Sequence, residues 1–401
     1  MRNASRSDMK RVVTKTVRDP IHGAIELTPE EERLIDSPLF QRLRSIRCLG
    51  LAYNVYPGAT HTRFAHSLGV MHLATRIARH LSLSERESRM VRIAGLLHDI
   101  GHGPVSHHFE SWDKNSWTTS AITKSDISDI IRDAGFKPRE IAEVVSGHRQ
   151  SIVSNIINGT IDADKIDYLI RDSYYTGVGY GNLDSDRLIR TMTVVPSHRN
   201  RIGIKGTTVQ QFLDFELTRY MMYSYVYFNK SVRIPELVIS RILTLLALTE
   251  ELGLPTTFEE FAEFDDTFVW SKIRDLYKNR RTSKTVYTLM KWLLERQFPS
   301  VFWETKATYR ELGDLDKFDR NLITYISNQL DIDDKLLFIE SLAVPVSLPV
   351  PVQGASEKTI RNLQEQMKRY EGALARGYAP RDKAQEASRI AARIIRDSPK
   401  G

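Results

Sequence analysis

One cysteine, Cys48, occurs in 401 residues. That scarcity excludes an internal disulfide framework and any thiolate zinc finger, and it suits a reducing compartment. Nothing approaches the roughly 18 uninterrupted apolar residues of a membrane span, and residues 1–20 carry charge where a secretory signal would hold its apolar centre. Internal repeats are missing as well. These absences predict a soluble, cytoplasmic protein with no membrane partner.

What remains is a globular composition, 41% hydrophobic and 27% charged, in a chain longer than one compact core usually is. One large helical domain, or a core domain with a C-terminal addition, is expected. The net charge of +7 sits at the ends: residues 1–18 hold six Lys/Arg against one acid, residues 355–401 hold eleven against six, and the middle is left at −3. Basic ends can meet phosphate-rich partners, nucleic acid included, or can simply be solvated.

The stretch 17–29, VRDPIHGAIELTP, reads as a turn or small hairpin feeding a helix, with Thr28 as N-cap and Pro29 in the first turn. Helical periodicity then dominates, in segments that include 30–36, 39–49, 62–82, 86–99, 162–175, 209–228 and 232–252. In TMTVVPSHRNRIGIKG, 191–206, two β-prone runs flank a polar turn and predict a hairpin. The pattern predicts helix from 255 to about 340, an extended strand or linker in the proline-rich 344–354, and then a basic helix. The expected organisation is a basic segment over 1–16, a core over 17–255, a helical region over 256–343, and a linker with a basic helix over 344–401.

In RIAGLLHDIG, 92–101, apolar residues surround nearly the whole helix, as on one crossing a protein interior. Burying Asp99 there unpaired is costly, so it needs a cation or several donors. A metal would satisfy His98 and Asp99 together, with Gly101 ending the helix so that both can turn toward one ion. Upstream, HTRFAHSLGV places His66 on a helix; downstream, GTIDADKIDYLIRD sets Asp164, Tyr168 and Arg171 near one helical face. Two histidines and two carboxylates from three helices suit Mn²⁺, Fe²⁺, Zn²⁺ or Mg²⁺ better than a thiol-seeking metal.

The ordered series VRDPIHGAIELTPEE, DSPLFQRLRSIRCLG, YPGATHTRFAHSLGV, AGLLHDIGHGPVSH and DADKIDYLIRDSYYTG resembles the HD-domain phosphohydrolase superfamily, in particular its sterile-alpha-motif-and-HD-domain deoxynucleotide triphosphohydrolases and their bacterial relatives. It covers residues 17 to about 230 densely; the last 150 residues match weakly. The resemblance implies a mostly α fold, an HD-domain helical core with a small β-hairpin and a helical C-terminal extension. It implies His66, His98, Asp99 and Asp164 as ligands of a divalent metal that polarises the α-phosphate of a dNTP and activates water, releasing triphosphate. By the same likeness His102 and His107 transfer protons beside the phosphates, with Asp164 counted in the catalytic set; Arg63, Lys165 and Arg219 hold phosphates. Tyr168, Asp172 and Tyr227 surround the sugar, Leu49 closes that pocket, and Tyr223 is a further substrate-binding candidate. Arg219, Tyr223, Tyr227 and Lys230 recur at near i+4 spacing, which predicts one shared helical face, while Tyr220 and Tyr225 read as core packing. Lys15, Asp36, Gln41 and Arg44 match residues that bind an activating guanine nucleotide or dNTP between subunits of a dimer or tetramer.

Three departures stand out. Where the family carries Trp-Thr-His-Glu, this chain reads SWTTSAIT, with Thr119 replacing the histidine; Cys48 stands at a common glutamine, and Asn229 at a common histidine. They motivate two alternatives to a dNTP triphosphohydrolase such as a dGTPase. One is a phosphohydrolase or nuclease for another nucleotide or single-stranded nucleic acid. The other is a catalytically weakened nucleotide-sensing or nucleic-acid-binding subunit. Nucleotide-pool balance and antiviral defence are both compatible roles.

Overall fold

The computed structural model describes residues 13–105, 110–149, 151–196, 201–307, 321–344, 350–368 and 373–397. His107 and most of the basic N-terminal segment lie outside these residues. The chain opens with an antiparallel hairpin, β1 (Lys15–Asp19) and β2 (Gly23–Leu27), whose turn closes on Gly23 at φ +72°. Helix α1 (Pro29–Asp36) follows through a reciprocal cap: Thr28 accepts from the Glu31 amide and Glu31 accepts from the Thr28 amide. Helix α2 (Pro38–Gln41) stops early and tightens into a 3₁₀ turn over Arg42–Ser45, so the single helix expected over 39–49 is not formed. The turn lets buried Arg42 donate to the Ile100 and Phe264 carbonyls at 2.8 and 3.0 Å.

At the centre, α3 (Arg63–His80) packs along α4 (Glu85–Leu97). Every residue of α4 from Met90 to Leu97 is buried, as expected of an interior helix. Helix α4 ends at Leu97, and the chain continues in tight turns, Ile100 N–H to Leu97 C=O and His102 N–H to Asp99 C=O. Gly101 is not among the left-handed glycines. The turn that splays His98 and Asp99 is thus made by consecutive short-range hydrogen bonds, correcting the expected glycine stop.

Helices α5 (Glu110–Lys124) and α6 (Ile127–Asp133) pack on α7 (Pro138–Val145), which with α8 (Ile152–Asn158) packs on this pair. Helix α9 (Ala163–Thr176) lies against α3; Asp162 caps its start and Gly177, left-handed at φ +73°, ends it. After α10 (Ser185–Thr191), β3 (Met192–Val195) and β4 (Arg201–Lys205) form the expected antiparallel hairpin. Helix α11 (Val209–Met222) runs into one π-turn, Tyr223–Tyr227, before α12 (Lys230–Leu248) begins.

Helices α13 (Phe258–Glu263), α14 (Asp266–Asn279) and α15 (Lys284–Leu294) continue the helical pattern. Beyond them the expectation of helix to about 340 holds over 321–330, which is helical, and gives way to strand on either side. Strands β5 (Ser300–Ala307) and β6 (Phe338–Ala343) flank a third strand, β8 (Ala373–Ala379), in an antiparallel sheet of order β5-β8-β6. β7 (Val352–Gln353) joins β4 in parallel, α16 (Glu357–Met367) follows, β8 spans Ala373–Ala379, and α17 (Ala384–Asp397) ends the described chain. The strict in–out alternation of burial in β6 is the β period that the longer helical pattern hid. Mostly α architecture holds.

Candidate active site

Three helices deliver the His-Asp cluster: His66 from the first turn of α3, His98 and Asp99 from just beyond α4, and Asp164 from the first turn of α9. His66 Nε2 lies 3.0 Å from Asp164 Oδ1, 3.3 Å from His98 Nε2 and 3.9 Å from Asp99 Oδ2. His98 Nε2 lies 3.4 Å from Asp99 Oδ1 and 3.8 Å from Asp164 Oδ1. With metal–ligand bonds of about 2.1 Å, neighbouring ligands around one ion stand roughly 3.0–3.4 Å apart. Three of the five separations fall in that range; His66, His98 and Asp164 form a group able to hold an ion, with Asp99 beside it.

The donor set agrees. His98 Nδ1 donates to the Gly95 carbonyl at 2.8 Å, and His66 Nδ1 lies 2.7 Å from Asp167 Oδ2. Both imidazoles then turn an Nε2 lone pair toward each other and toward two carboxylates, an arrangement that a divalent cation reconciles. Burial opposes ionisation of Asp99, yet Arg63, His102 and His98 hold its carboxyl well below the usual range. Burial also opposes the charge on Asp164, which His66 and His98 outweigh. Against the pull of burial, the Asp164 and Asp167 carboxylates lift the His66 imidazole to about 10, so a cation bound at Nε2 would displace a proton there.

The cluster opens into a cavity of about 370 Å³. Of the phosphate and proton-transfer candidates, Arg63 and His102 line it; Arg63 pairs with Asp99, and His102 Nε2 is 2.9 Å from the same carboxylate. The sugar candidates Leu49, Tyr168, Asp172 and Tyr227 all line it, and so does Tyr223. The Tyr227 hydroxyl donates to Asp172 at 2.6 Å, and His61 Nε2 reaches the other Asp172 oxygen at 2.8 Å. Burial pushes the Tyr227 and Tyr168 phenols well up, so both are hydroxyl donors at any working pH.

Other candidates are placed differently. Lys165 lies outside the cavity lining, its Nζ held by Asp162 at 2.6 Å and the Gly159 carbonyl at 3.1 Å. Arg219 is buried behind Tyr168 and stacks on Tyr223 at 5.8 Å. Lys230 is exposed and opens α12, because the π-turn breaks the face it was expected to share with Tyr227. Tyr225 is 54% exposed, so it is not core packing. Thr119 is exposed beside a surface groove with Arg132 and Pro138, away from the cavity. Asn229 caps α12 by accepting from the Ser231 amide. Lys15 pairs with Glu32 at 3.0 Å, Arg44 donates to Gln41 at 2.7 Å, and Asp36 is exposed.

Sequence reasoning missed Asp167, which orients His66, and His61, which orients Asp172. It also missed Arg233 and Glu236, which line the cavity as an ion pair at 2.7 Å. Arg233 is held at 2.9 Å by Glu340 of β6; Glu340 accepts from the Tyr378 hydroxyl, and Arg376 of β8 donates to the Phe228 carbonyl. The C-terminal sheet therefore braces the cavity wall.

Comparison with known proteins adds an independent finding. The HD domain matches residues 63–172, and the HD associated region matches residues 183–372. The chain is 36% identical over 275 residues to an uncharacterized protein of Methanocaldococcus jannaschii, covering 66% of this chain and 59% of that one. It is 30% identical over 355 residues to an uncharacterized protein of Mycoplasma pneumoniae, covering 77% and 82%. With the deoxynucleoside triphosphate triphosphohydrolase SAMHD1 of Homo sapiens it shares 36% identity over 264 residues, 54% of this chain and 42% of that protein. The chain thus spans less than two thirds of the archaeal relative and less than half of the human one. A crystal structure of a hypothetical protein from Aquifex aeolicus superposes with a TM-score of 0.77 at 28% identity, covering 94% and 99%.

Proposed function

We propose, from the premise that the chain belongs to the HD-domain family, that it is a metal-dependent phosphohydrolase cleaving deoxynucleoside triphosphates into deoxynucleoside and triphosphate. The observation that carries this reading is one cavity shared by His66, Asp99 and Asp164 and by the Tyr227–Asp172 pair. A divalent ion held by His66, His98, Asp99 and Asp164 would supply a Lewis acid and a water of lowered pKa. Arg63 offers fixed positive charge to phosphate oxygens at the cluster, beside the carboxylate that holds it. Water oxygen bonds to the α-phosphorus, the bond from phosphorus to the 5′ oxygen breaks, and that oxygen takes a proton. His102, in the cavity wall, gives it. Leu49 and Tyr227 pack the sugar, and Asp172 accepts from its 3′-hydroxyl.

In this reading residues 17–255 do the chemistry and residues 256–401 brace it. Lys15, Asp36, Gln41 and Arg44 form an activating nucleotide site in a homo-oligomer, measured as dNTP-dependent change in mass by light scattering. The deciding experiment incubates each dNTP with Mn²⁺ or Mg²⁺ and separates products. Deoxynucleoside and intact triphosphate are expected from wild type and none from Asp164→Ala; orthophosphate or pyrophosphate alone would refute the reading. Cys48 in the cavity wall favours a broader second reading, because burial pushes its thiol up and a neutral thiol grips a sugar hydroxyl weakly. Ribonucleotides and single-stranded oligonucleotides belong in the same assay.

A further inference from the structure

The N-terminal hairpin reaches the metal cluster through a chain of buried groups. His22, in the turn between β1 and β2, sets Nε2 2.6 Å from Asp167 Oδ1, and Asp167 Oδ2 lies 2.7 Å from His66 Nδ1. The three side chains are almost entirely buried. Arg171, wholly buried, donates to both Asp167 oxygens, Nε at 2.8 Å and Nη2 at 3.0 Å, and its Nη1 reaches Asp19 at 2.9 Å. Asp19 in turn accepts from the Ile21 and His22 amides, which fixes the turn that presents His22. Asp167 therefore receives two donors on each oxygen, and that count leaves His22 Nε2 and His66 Nδ1 as the proton-bearing atoms. Gly69, one turn after His66, makes the approach possible: a Cβ there would stand 1.9 Å from Asp167 Oδ1.

We propose that His22 is a positioning residue for the metal ligand His66, acting through Asp167, so that docking of the N-terminal hairpin and binding of the divalent ion are coupled. The inference rests on the metal reading above. Without His22, Asp167 Oδ1 keeps only Arg171, the carboxylate is free to turn, and the His66 ring loses the partner that sets its plane. Outer partners of metal ligands are worth about 10–100-fold in metal affinity. His22 stands one step further out, at the lower end of that range. Reciprocity then requires that the ion strengthen hairpin docking by the same factor.

The full chain is titrated with Co²⁺, read by visible absorbance and calorimetry, for wild type, His22→Ala, His22→Gln and Asp164→Ala. About tenfold weaker binding is expected for His22→Ala, with recovery in His22→Gln, whose amide N–H can donate to Asp167; Asp164→Ala serves as the control that loses the site. Hydrogen exchange over Lys15–Leu27 should slow about tenfold on adding Co²⁺ to wild type. Equal Co²⁺ affinity in His22→Ala, or hairpin exchange indifferent to Co²⁺, would overturn the proposal. The exchange measurement needs no variant, so it decides the question even if His22→Ala does not fold. Failure of dNTP turnover with the coupling intact removes only the substrate reading, whereas a wild type that does not bind Co²⁺ removes the metal and this coupling together.

Discussion

Gly69→Ala should destabilise the protein, although local preference argues the reverse. Alanine in place of glycine within a helix interior such as α3 gains about 1 kcal/mol from backbone entropy. Here the added Cβ would meet Asp167 Oδ1 at 1.9 Å and Arg171 Nη2 at 2.5 Å, both on fully buried side chains. Helices α3 and α9 must part, or the Asp167–Arg171 pair must open. Breaking a buried ion pair costs about 3–5 kcal/mol, so the net loss is about 2–4 kcal/mol. Unfolding entropy of roughly 2 cal/mol/K per residue gives about 0.8 kcal/mol/K for a chain of this length, and hence a Tm lower by about 3–5 °C. Calorimetry checks it against Gly179→Ala, where a Cβ meets nothing within 4 Å; that control should stay within about 0.5 kcal/mol. A Gly69→Ala protein that melts at or above the wild-type temperature would refute the close approach and the network built on it.

Tyr227→Phe removes the hydroxyl that donates to Asp172 at 2.6 Å; a hydrogen bond to a charged group is worth about 1.5–3 kcal/mol, and the ratio of kcat/KM for dNTP over rNTP should fall about tenfold or more in steady-state assays. Burial, then the charges of His22, Arg76 and Arg92, depress the His72 imidazole to about 4. The unfolded chain binds this proton below about 6.5 and the folded chain only below about 4, so stability is lost as pH falls through that window. Urea unfolding at pH 7 and pH 5 should show the loss in wild type and a smaller one in His72→Phe. Arg376→Ala leaves buried Glu340 without one of its two arginines and frees the Phe228 carbonyl; about 3 kcal/mol of stability should go, with faster proteolysis beyond residue 300.

The four expected metal ligands sit in short strings whose ordered likeness to the HD family pointed to them, and His66, His98 and Asp164 do come together in the structure. Asp167 was not legible: three residues after Asp164, a carboxylate on a helix looks like part of a solvated face, and its partner His22 lies 145 residues away. The sugar-side residues Leu49, Tyr168, Asp172 and Tyr227 do share the cavity, and so does Tyr223. Lys165 and Arg219 were harder to assign, because a cation in a string does not reveal whether it faces a ligand or, like Lys165, a neighbouring aspartate. The N-terminal hairpin and the hairpin over 191–206 announced themselves through turn chemistry. The C-terminal sheet did not. Its β period is overlaid by an apparent helical one, and its central member pairs with partners tens of residues earlier, so no short turn marks the pairing.

That strand order sets a timetable for synthesis. β8 leaves the ribosome last yet belongs between β5 and β6, so two strands with open edges must wait for the one that joins them. Only when residue 379 has emerged can Arg376 reach Phe228 and Tyr378 reach Glu340, and only then is Arg233 locked in the cavity wall. A chain halted before that point would carry every metal ligand and still lack a finished cavity.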